Sequence, residues 1–99
     1  MQYFVVFTPK HKFQADGMPP DFQDMELKEQ AQTQVLYAEG GLRQAWALDT
    51  ESRGAVVLFE AESPKHLQAM IDSFPLIKAD YADYRVFPLA PHPAFGKQS

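Results

Sequence analysis

The chain has 99 residues, no cysteine and a net charge of -4 at neutral pH, and 45% of its residues are hydrophobic. This length predicts one small domain over residues 1–99, and the absence of cysteine excludes disulfides, thiolate metal ligands and a cysteine nucleophile. Lys and Arg are scattered, no apolar run approaches the ~20 residues of a membrane span, and no leader segment is evident. We therefore expect a cytoplasmic protein that binds neither nucleic acid nor membranes.

The first predicted element is a strand over residues 3–8, which are β-branched or aromatic on both faces, as in a strand covered on two sides. Pro9 ends this strand. Residues 10–20 show no periodicity and contain Gly17 and a proline pair, so we predict a loop. A loop of this length often forms a lid or binding segment, although an ordinary surface loop is an equally good interpretation.

A helix is predicted from Pro20 or Asp21 to Ala38, because acidic residues lie near its N-terminus, where the helix dipole favours them. Its apolar residues form two stripes, which predicts cover on two faces. One stripe contains Phe22, Met25 and Leu36, and the other contains Leu27, Ala31, Val35 and Ala38. Glu29 lies in the middle of the first stripe. Either this stripe is half-exposed and Glu29 is solvated, or the carboxylate is partly buried.

Residues 39–60 predict a helix end followed by a β-hairpin. Gly40 and Gly41 end the helix, because glycine tolerates the left-handed backbone found there. In residues 42–48, Leu42, Gln44, Trp46 and Leu48 alternate with the other side chains, and residues 54–59 form a nearly continuous apolar run. Both segments are therefore predicted strands, joined by a loop at residues 49–53.

A second helix is predicted after Ser63, an N-cap residue that is followed by proline at the first helical position. Its single apolar stripe contains Leu67, Met70, Ile71 and Phe74. Pro75 ends this helix, and residues 76–80 form a connection. Residues 81–89 predict a fourth strand, which Pro88 places at a sheet edge or a strand end. Residues 90–99 form an irregular tail.

The predicted element order is βαββαβ, which corresponds to a ferredoxin-like α+β fold with a four-stranded antiparallel sheet and two helices on one face. Apolar residues on both faces of the first and third strands indicate that the other sheet face is covered too. The simplest cover is the same face of a second copy, so we predict a homodimer or a higher homo-oligomer.

Several short segments resemble the muconolactone isomerase family of dimeric α+β barrels. They are EGGLRQAW at residues 39–46, the strand ending at Phe59, the helix opening at Ser63 and the FPL sequence at residues 74–76, and the resemblance covers about two thirds of the chain. It implies a dimeric α+β barrel that shifts a proton in a small unsaturated lactone or related carbonyl compound, as in aromatic compound catabolism. It also implies no metal, no organic cofactor and a carboxylate at Glu29.

The predicted site follows from this chemistry, which needs a base and hydrogen-bond donors to a developing oxyanion. Glu29 is the predicted catalytic base, because desolvation by Phe22 and Met25 would raise its pKa. Phe22 and Met25 are also predicted to contact the substrate.

Three residues of the first hairpin strand complete the predicted substrate-binding set. Arg43 is predicted to bind a substrate carboxylate, and Gln44 to donate a hydrogen bond. Strand alternation places these two on opposite faces. Trp46 is either a packing residue or a substrate platform.

Other functions stay open at this point. Gln44 and Gln30 stand where a member of the family has histidine and lysine, and an amide cannot exchange a proton. The alternatives are a YciI-like small enzyme of the same fold, a non-catalytic oligomeric small-ligand-binding protein in which Glu29 is solvated, and a cofactor-free monooxygenase of the same superfamily. His11, His66 and His92 lack metal-ligand spacing, so no metal site is expected.

Overall fold

The computed structural model describes residues 1–48 and 53–95. The elements in chain order are β1 (Gln2–Pro9), α1 (Lys12–Asp16), α2 (Phe22–Ala38), β2 (Leu42–Ala47), β3 (Ala55–Glu60), α3 (Pro64–Asp72), α4 (Pro75–Lys78) and β4 (Ala82–Leu89). The strands form one antiparallel sheet in the order β2-β3-β1-β4. This confirms the predicted ferredoxin-like α+β fold. No helix in the described part of the chain is long and apolar enough to cross a membrane.

The core lies between the sheet and the two longer helices. Alternate side chains of β1, namely Tyr3, Val5 and Phe7, are buried on the helix side, because successive side chains of a strand point to opposite faces. The rings of Phe59 and Phe74 pack edge-on against Phe7 at centroid distances of 6.5 and 5.6 Å. The central strand therefore carries the aromatic core that both helices cover.

The helix α3 forms as its local signals predict. The Ser63 hydroxyl accepts a 3.1 Å hydrogen bond from the His66 N–H, Pro64 occupies the first turn, and Leu67, Met70 and Ile71 are buried. The helix α2 differs from its prediction, because only its first stripe packs on the protein: Phe22 and Leu36 are buried. The second stripe faces outward, with Leu27 61% and Val35 47% exposed. Within a single copy of the chain, only the first stripe is therefore covered.

Two predicted connections contain short helices. The segment predicted as a loop over residues 10–20 includes α1, where the Phe13 ring packs edge-on against Tyr81 at 5.7 Å. The connection after α3 includes α4, which begins at Pro75. Both corrections involve helices too short for a periodic sequence pattern. The predicted hairpin loop lies outside the described residues except for Arg53, and the tail is irregular over residues 90–95, beyond which it is not described.

A bulge at Arg43 changes which face the β2 side chains occupy. Leu42 pairs with Phe59, whereas Gln44 pairs with Leu58, so one extra residue lies between these pairs. Leu42 is consequently buried on the helix side. The prediction that it shares a face with Gln44 and Trp46 is wrong.

The sheet face away from the helices, called the open sheet face below, is largely apolar. Its central part consists of Phe4, Val6, Gln44, Trp46, Val56, Leu58, Arg85, Phe87 and Leu89, and the polar Gln2, Thr8, Glu60 and Asp83 lie at its ends. Trp46 is 48% and Phe87 41% exposed. The two-sided apolar character predicted for the central strands is thus present, with one side in the core and the other on this face.

Candidate functional site

A cavity of about 300 Å³ lies between α2 and the sheet. Its apolar wall consists of Phe7, Pro9, Phe22, Ala45, Trp46, Ala47, Ala55, Val57, Phe74, Leu76 and Ala82. Its polar lining consists of Thr8, Glu26, Glu29, Gln30, Thr33 and Arg53, with Gly54 beside the arginine. A small, mainly apolar cavity with a few convergent polar groups is typical of a small-molecule site.

The helix α2 supplies most of the polar groups from one side. Glu26, Glu29, Gln30 and Thr33 are three or four residues apart, so the 3.6-residue period brings them to the same helix side. Buried Phe22 and Leu36 lie nearer the two ends of the helix. The helix is thus anchored by apolar contacts at its ends, and its polar middle faces the cavity.

Glu29 is half-buried in the cavity wall. The main-chain N–H of Leu76 donates a 3.2 Å hydrogen bond to Glu29 Oε1. Burial raises the pKa of Glu29 from its ordinary 4.5 to about 6, and the hydrogen bond from Leu76 opposes this rise only in part. A carboxyl group with this pKa is mostly ionised at neutral pH and is a much stronger base than a solvated one.

Two further residues from the predicted set line the same cavity. Phe22 is only 4% exposed, and its ring stacks on Tyr81 at 6.3 Å. Trp46 contributes to the cavity wall, while its ring packs 6.0 Å from Phe4 on the open sheet face. The Trp46 ring therefore packs on the open sheet face, and the residue also borders the cavity. Met25 is half-buried but is not part of the cavity lining.

Arg43 and Gln44 lie apart from Glu29. Arg43 is exposed beside a separate depression formed with Tyr37, Gly40 and Leu42. Gln44 lies on the open sheet face, and its Oε1 accepts a 3.0 Å hydrogen bond from the Ala45 N–H. Neither of them lines the cavity, because Gln44 faces the other side of the sheet and Arg43 lies beside the C-terminal end of α2.

Some polar groups of the cavity were not singled out from the sequence. Glu26 and Thr33 lie three and four residues from Glu29, so helical spacing could have identified them. Thr8 and Arg53 carry no such signal, since their position depends on sheet pairing. Within residues 1–48 and 53–95, no three His, Asp or Glu side chains come close enough to hold a metal ion.

The fold and the cavity define a small ferredoxin-like α+β protein with a half-buried carboxyl group of raised pKa in a mainly apolar cavity. The sequence matches the muconolactone delta-isomerase family over residues 1–94, and the chain belongs to this family.

Solved structures agree with this assignment. A crystal structure of muconolactone isomerase is 25% identical, with a TM-score of 0.74 over 95% of this chain and 93% of that chain. A 5-chloro-2-hydroxyhydroquinone dehydrochlorinase from Burkholderia phenoliruptrix, in complex with 2,5-dihydroxybenzoquinone, is 16% identical. Its TM-score is 0.69 over 96% of this chain and 99% of that chain, which shows a common fold. No protein of curated function matches the sequence.

Proposed function

We propose that this protein catalyses a cofactor-independent proton shift in a small unsaturated lactone or a related carbonyl compound. The observation that carries this proposal is the position of Glu29, half-buried in the wall of a mainly apolar cavity with a pKa of about 6. A general base is most effective when its pKa lies near the working pH. Membership of the muconolactone delta-isomerase family supports the same class of reaction.

In the proposed reaction, the Glu29 carboxylate removes a proton from a carbon conjugated with the carbonyl group. The C–H electron pair enters the conjugated system, and negative charge develops on the carbonyl oxygen. The protonated Glu29 then returns the proton to a different carbon, so the double bond moves and no atom is gained or lost. Because the Leu76 N–H binds Oε1, Oε2 is the oxygen that carries the proton.

The oxyanion needs a hydrogen-bond donor, and the side-chain amide of Gln30, a residue of the cavity lining, can supply one. We assign the main donor role to Gln30, which follows Glu29 in α2. Gln44, the donor predicted from the sequence, lies on the other side of the sheet. A preorganised donor stabilises charge as it develops in the transition state, and Phe22 would contact the apolar part of the substrate.

We also propose that the functional unit is a homodimer formed through the open sheet face. In support, Trp46 and Phe87 expose large aromatic surfaces there, next to the apolar side chains of β1 and β3. Contiguous apolar surface of this kind is typical of protein interfaces. The two cavities would lie on the outer sides of the paired sheets, beneath α2 of each copy.

The proposed reaction is tested by deuterium exchange. A panel of muconolactone-type and related unsaturated lactones is incubated with the protein in D₂O, and NMR follows exchange and double-bond migration. Glu29→Gln retains an oxygen that can accept from the Leu76 N–H but loses basicity, so the rate should fall by at least ~10². Glu62→Gln makes the same chemical change at an exposed position and should react like the wild type.

Two results would contradict the proposal. If Glu29→Gln exchanges a substrate proton as fast as the wild type does, then the base lies elsewhere. If the folded wild type exchanges no proton of any lactone in the panel, then the proton-shift reaction itself is wrong.

A further inference from the structure

The short helix α4, which supplies the N–H that binds Glu29, has little stability of its own. It contains four residues, and its N-cap residue Phe74 offers no side-chain acceptor. A helix this short is unstable in isolation, because it makes too few hydrogen bonds to offset the ordering of its backbone. The position of α4, and with it that of the Leu76 N–H, therefore depends on the contacts that hold its two ends.

The C-terminal end of α4 closes in a Schellman motif. The Tyr81 N–H donates a 2.9 Å hydrogen bond to the Leu76 carbonyl oxygen. The Asp80 N–H donates a 3.0 Å hydrogen bond to the carbonyl oxygen of Ile77, and Asp80 has the left-handed backbone, with a φ of 60°, that this motif requires. Leu76 therefore has two partners, since its carbonyl group binds Tyr81 and its N–H binds Glu29.

The Tyr81 side chain extends from this motif to the start of α2. Its hydroxyl donates a 2.9 Å hydrogen bond to Asp21 Oδ1, which raises the pKa of the phenol. Its ring stacks on Phe22 at 6.3 Å, and the Phe13 ring packs edge-on against it at 5.7 Å. Tyr81 thus joins the end of α4 to the beginning of the helix that carries Glu29.

We propose that Tyr81 is a positioning residue for Glu29, because it fixes α4 against α2 and so holds the Leu76 N–H at the carboxylate. Tyr81 is not part of the cavity lining, so it acts through Leu76 and not on a substrate. A catalytic group must be held closely in place to react efficiently. The inference rests on the proposed function only for its effect on turnover, since the hydrogen-bond geometry does not depend on the reaction.

A second contact attaches the chain before α4 to α2. The Gln32 side-chain amide donates a 2.9 Å hydrogen bond to the Ser73 hydroxyl. Gln32 follows Glu29 by three residues, and Ser73 precedes Leu76 by three residues. The bond between Glu29 and Leu76 therefore lies between two attachments. The attachment at Tyr81 includes aromatic packing, and we assign it the larger share.

The pKa of Glu29 can report a loss of positioning. Burial raises this pKa, and the hydrogen bond from Leu76 lowers it. Glu26 on α2 and Arg53 before β3 are the other charged residues in the described lining of the cavity, and they stay unchanged in the variants below. Loss of the Leu76 bond would raise the pKa of Glu29 further, whereas exposure of the carboxylate to water would lower it.

The test is an NMR titration of the protein without a ligand. The Leu76 amide signal should shift as Glu29 ionises, because the N–H binds that carboxylate, and Glu29→Gln should abolish this titration. Tyr81→Ala should remove most of the titration of the Leu76 amide. It should also raise the pKa of Glu29, followed through the side-chain carboxyl carbon, above that of the wild type. Tyr81→Phe keeps the ring, so both observations should stay close to those of the wild type.

Tyr84→Ala is the matched control. Tyr84 lies in β4, its ring packs on Phe7 at 6.2 Å, and its hydroxyl accepts a 3.0 Å hydrogen bond from Gln68 in α3. Its truncation removes a similar side chain but does not release α4. This variant should lower the urea midpoint while it leaves both titrations unchanged.

Circular dichroism shows whether each variant is folded. If Tyr81→Ala does not fold, then Tyr81→Leu, which keeps apolar bulk but loses the stack on Phe22, should show the same changes to a smaller extent. With a lactone that the wild type isomerises, Tyr81→Ala should reduce kcat by about tenfold with little change in KM, since a small displacement of a catalytic group slows the reaction.

The inference is overturned if truncation of Tyr81 leaves the Leu76 titration intact, if it lowers the pKa of Glu29, or if kcat does not change. It is also overturned if Tyr84→Ala has the same effect. These outcomes are separate from those of the exchange experiment. Unchanged titrations in an active enzyme would refute the positioning role alone, whereas altered titrations in a protein that exchanges no lactone proton would refute the reaction alone.

Discussion

The N–H of Leu76 donates a 3.2 Å hydrogen bond to Oε1 of Glu29, which joins the first turn of α4 to the middle of α2. The bond holds one carboxylate oxygen in place and favours the ionised form of the group. Burial nevertheless has the larger effect on the pKa, which stays above its ordinary value. A main-chain hydrogen bond thus fixes the orientation of Glu29, and the pKa of its carboxyl group stays above 4.5.

The pH dependence of the reaction should report Glu29. The base must be ionised, so kcat/KM should rise with pH up to the pKa of about 6 and level off above it. The measurement is the rate of double-bond migration between pH 4.5 and 8, with the stability of the fold checked at each pH. A rate that is independent of pH below 6 would show that Glu29 is not the titrating base.

The free energy of unfolding should also depend on the protonation of Glu29. The contribution of Glu29 to it should fall as the pH rises, whereas kcat/KM should rise. The folded pKa of about 6 lies above the ordinary value of 4.5, so the folded state binds more protons between these pH values. The stabilising contribution of protonated Glu29 is fully present below pH 4.5 and is lost as the pH rises through 6.

Glu29→Gln should therefore be more stable than the wild type at pH 7, by on the order of 1–2 kcal/mol, and about equal to it at pH 4. Urea denaturation at the two pH values measures this difference. A variant that is less stable at pH 7 would indicate that the carboxylate is stabilised by contacts that outweigh its burial.

Two glycines, Gly40 before β2 and Gly54 before β3, should respond differently to alanine. Gly40 has a φ of +86° and an added Cβ would meet no atom within 4 Å, so Gly40→Ala should cost only the backbone strain, about 1 kcal/mol. Gly54 has a φ of +122°, and a Cβ there would collide with the main-chain oxygen of Phe7. Gly54→Ala should cost at least about 2–3 kcal/mol. Equal urea midpoints for the two variants would contradict this.

The open sheet face should be the dimer interface. Light scattering at micromolar concentration should show a dimer or a larger assembly of dimers, and Phe87→Glu should dissociate the pair by placing a charge among apolar side chains. Leu27→Glu, on the exposed stripe of α2, should leave the pairing intact. A monomeric wild type, or a pair that dissociates only with Leu27→Glu, would show that this face is not the interface.

The elements that the sequence predicts well are those with local signals. The helix α3 has an N-cap serine, an early proline and one apolar stripe, and none of these depends on the rest of the chain. The helix α1 is different, because it packs through the contact between Phe13 and Tyr81, two residues far apart in sequence. Short helices of this kind have too few residues to show a period.

The residues of the candidate site also fall into two groups, those that local sequence patterns identify and those whose position depends on distant contacts. Glu29 can be identified because a single carboxylate interrupts an apolar stripe. Helical spacing alone then predicts that Glu26 and Thr33 lie on the same side of α2. The orientation of Arg43 and Gln44 depends on one extra residue in β2, and a bulge has no distinctive residue pattern here. Arg53 reaches the cavity only through the pairing of β2 with β3, which sequence spacing does not specify.

The central position of β1 has a consequence for how the chain reaches this fold. Val5 pairs with Val57 on one side and with Val86 on the other, so both edges of β1 stay unpaired until strands that are much later in the sequence are available. Contacts of such long sequence separation slow folding, and an unpaired strand of aromatic and β-branched residues promotes association between chains. During synthesis, β1 therefore leaves the ribosome before the two strands that pair with its edges have been made.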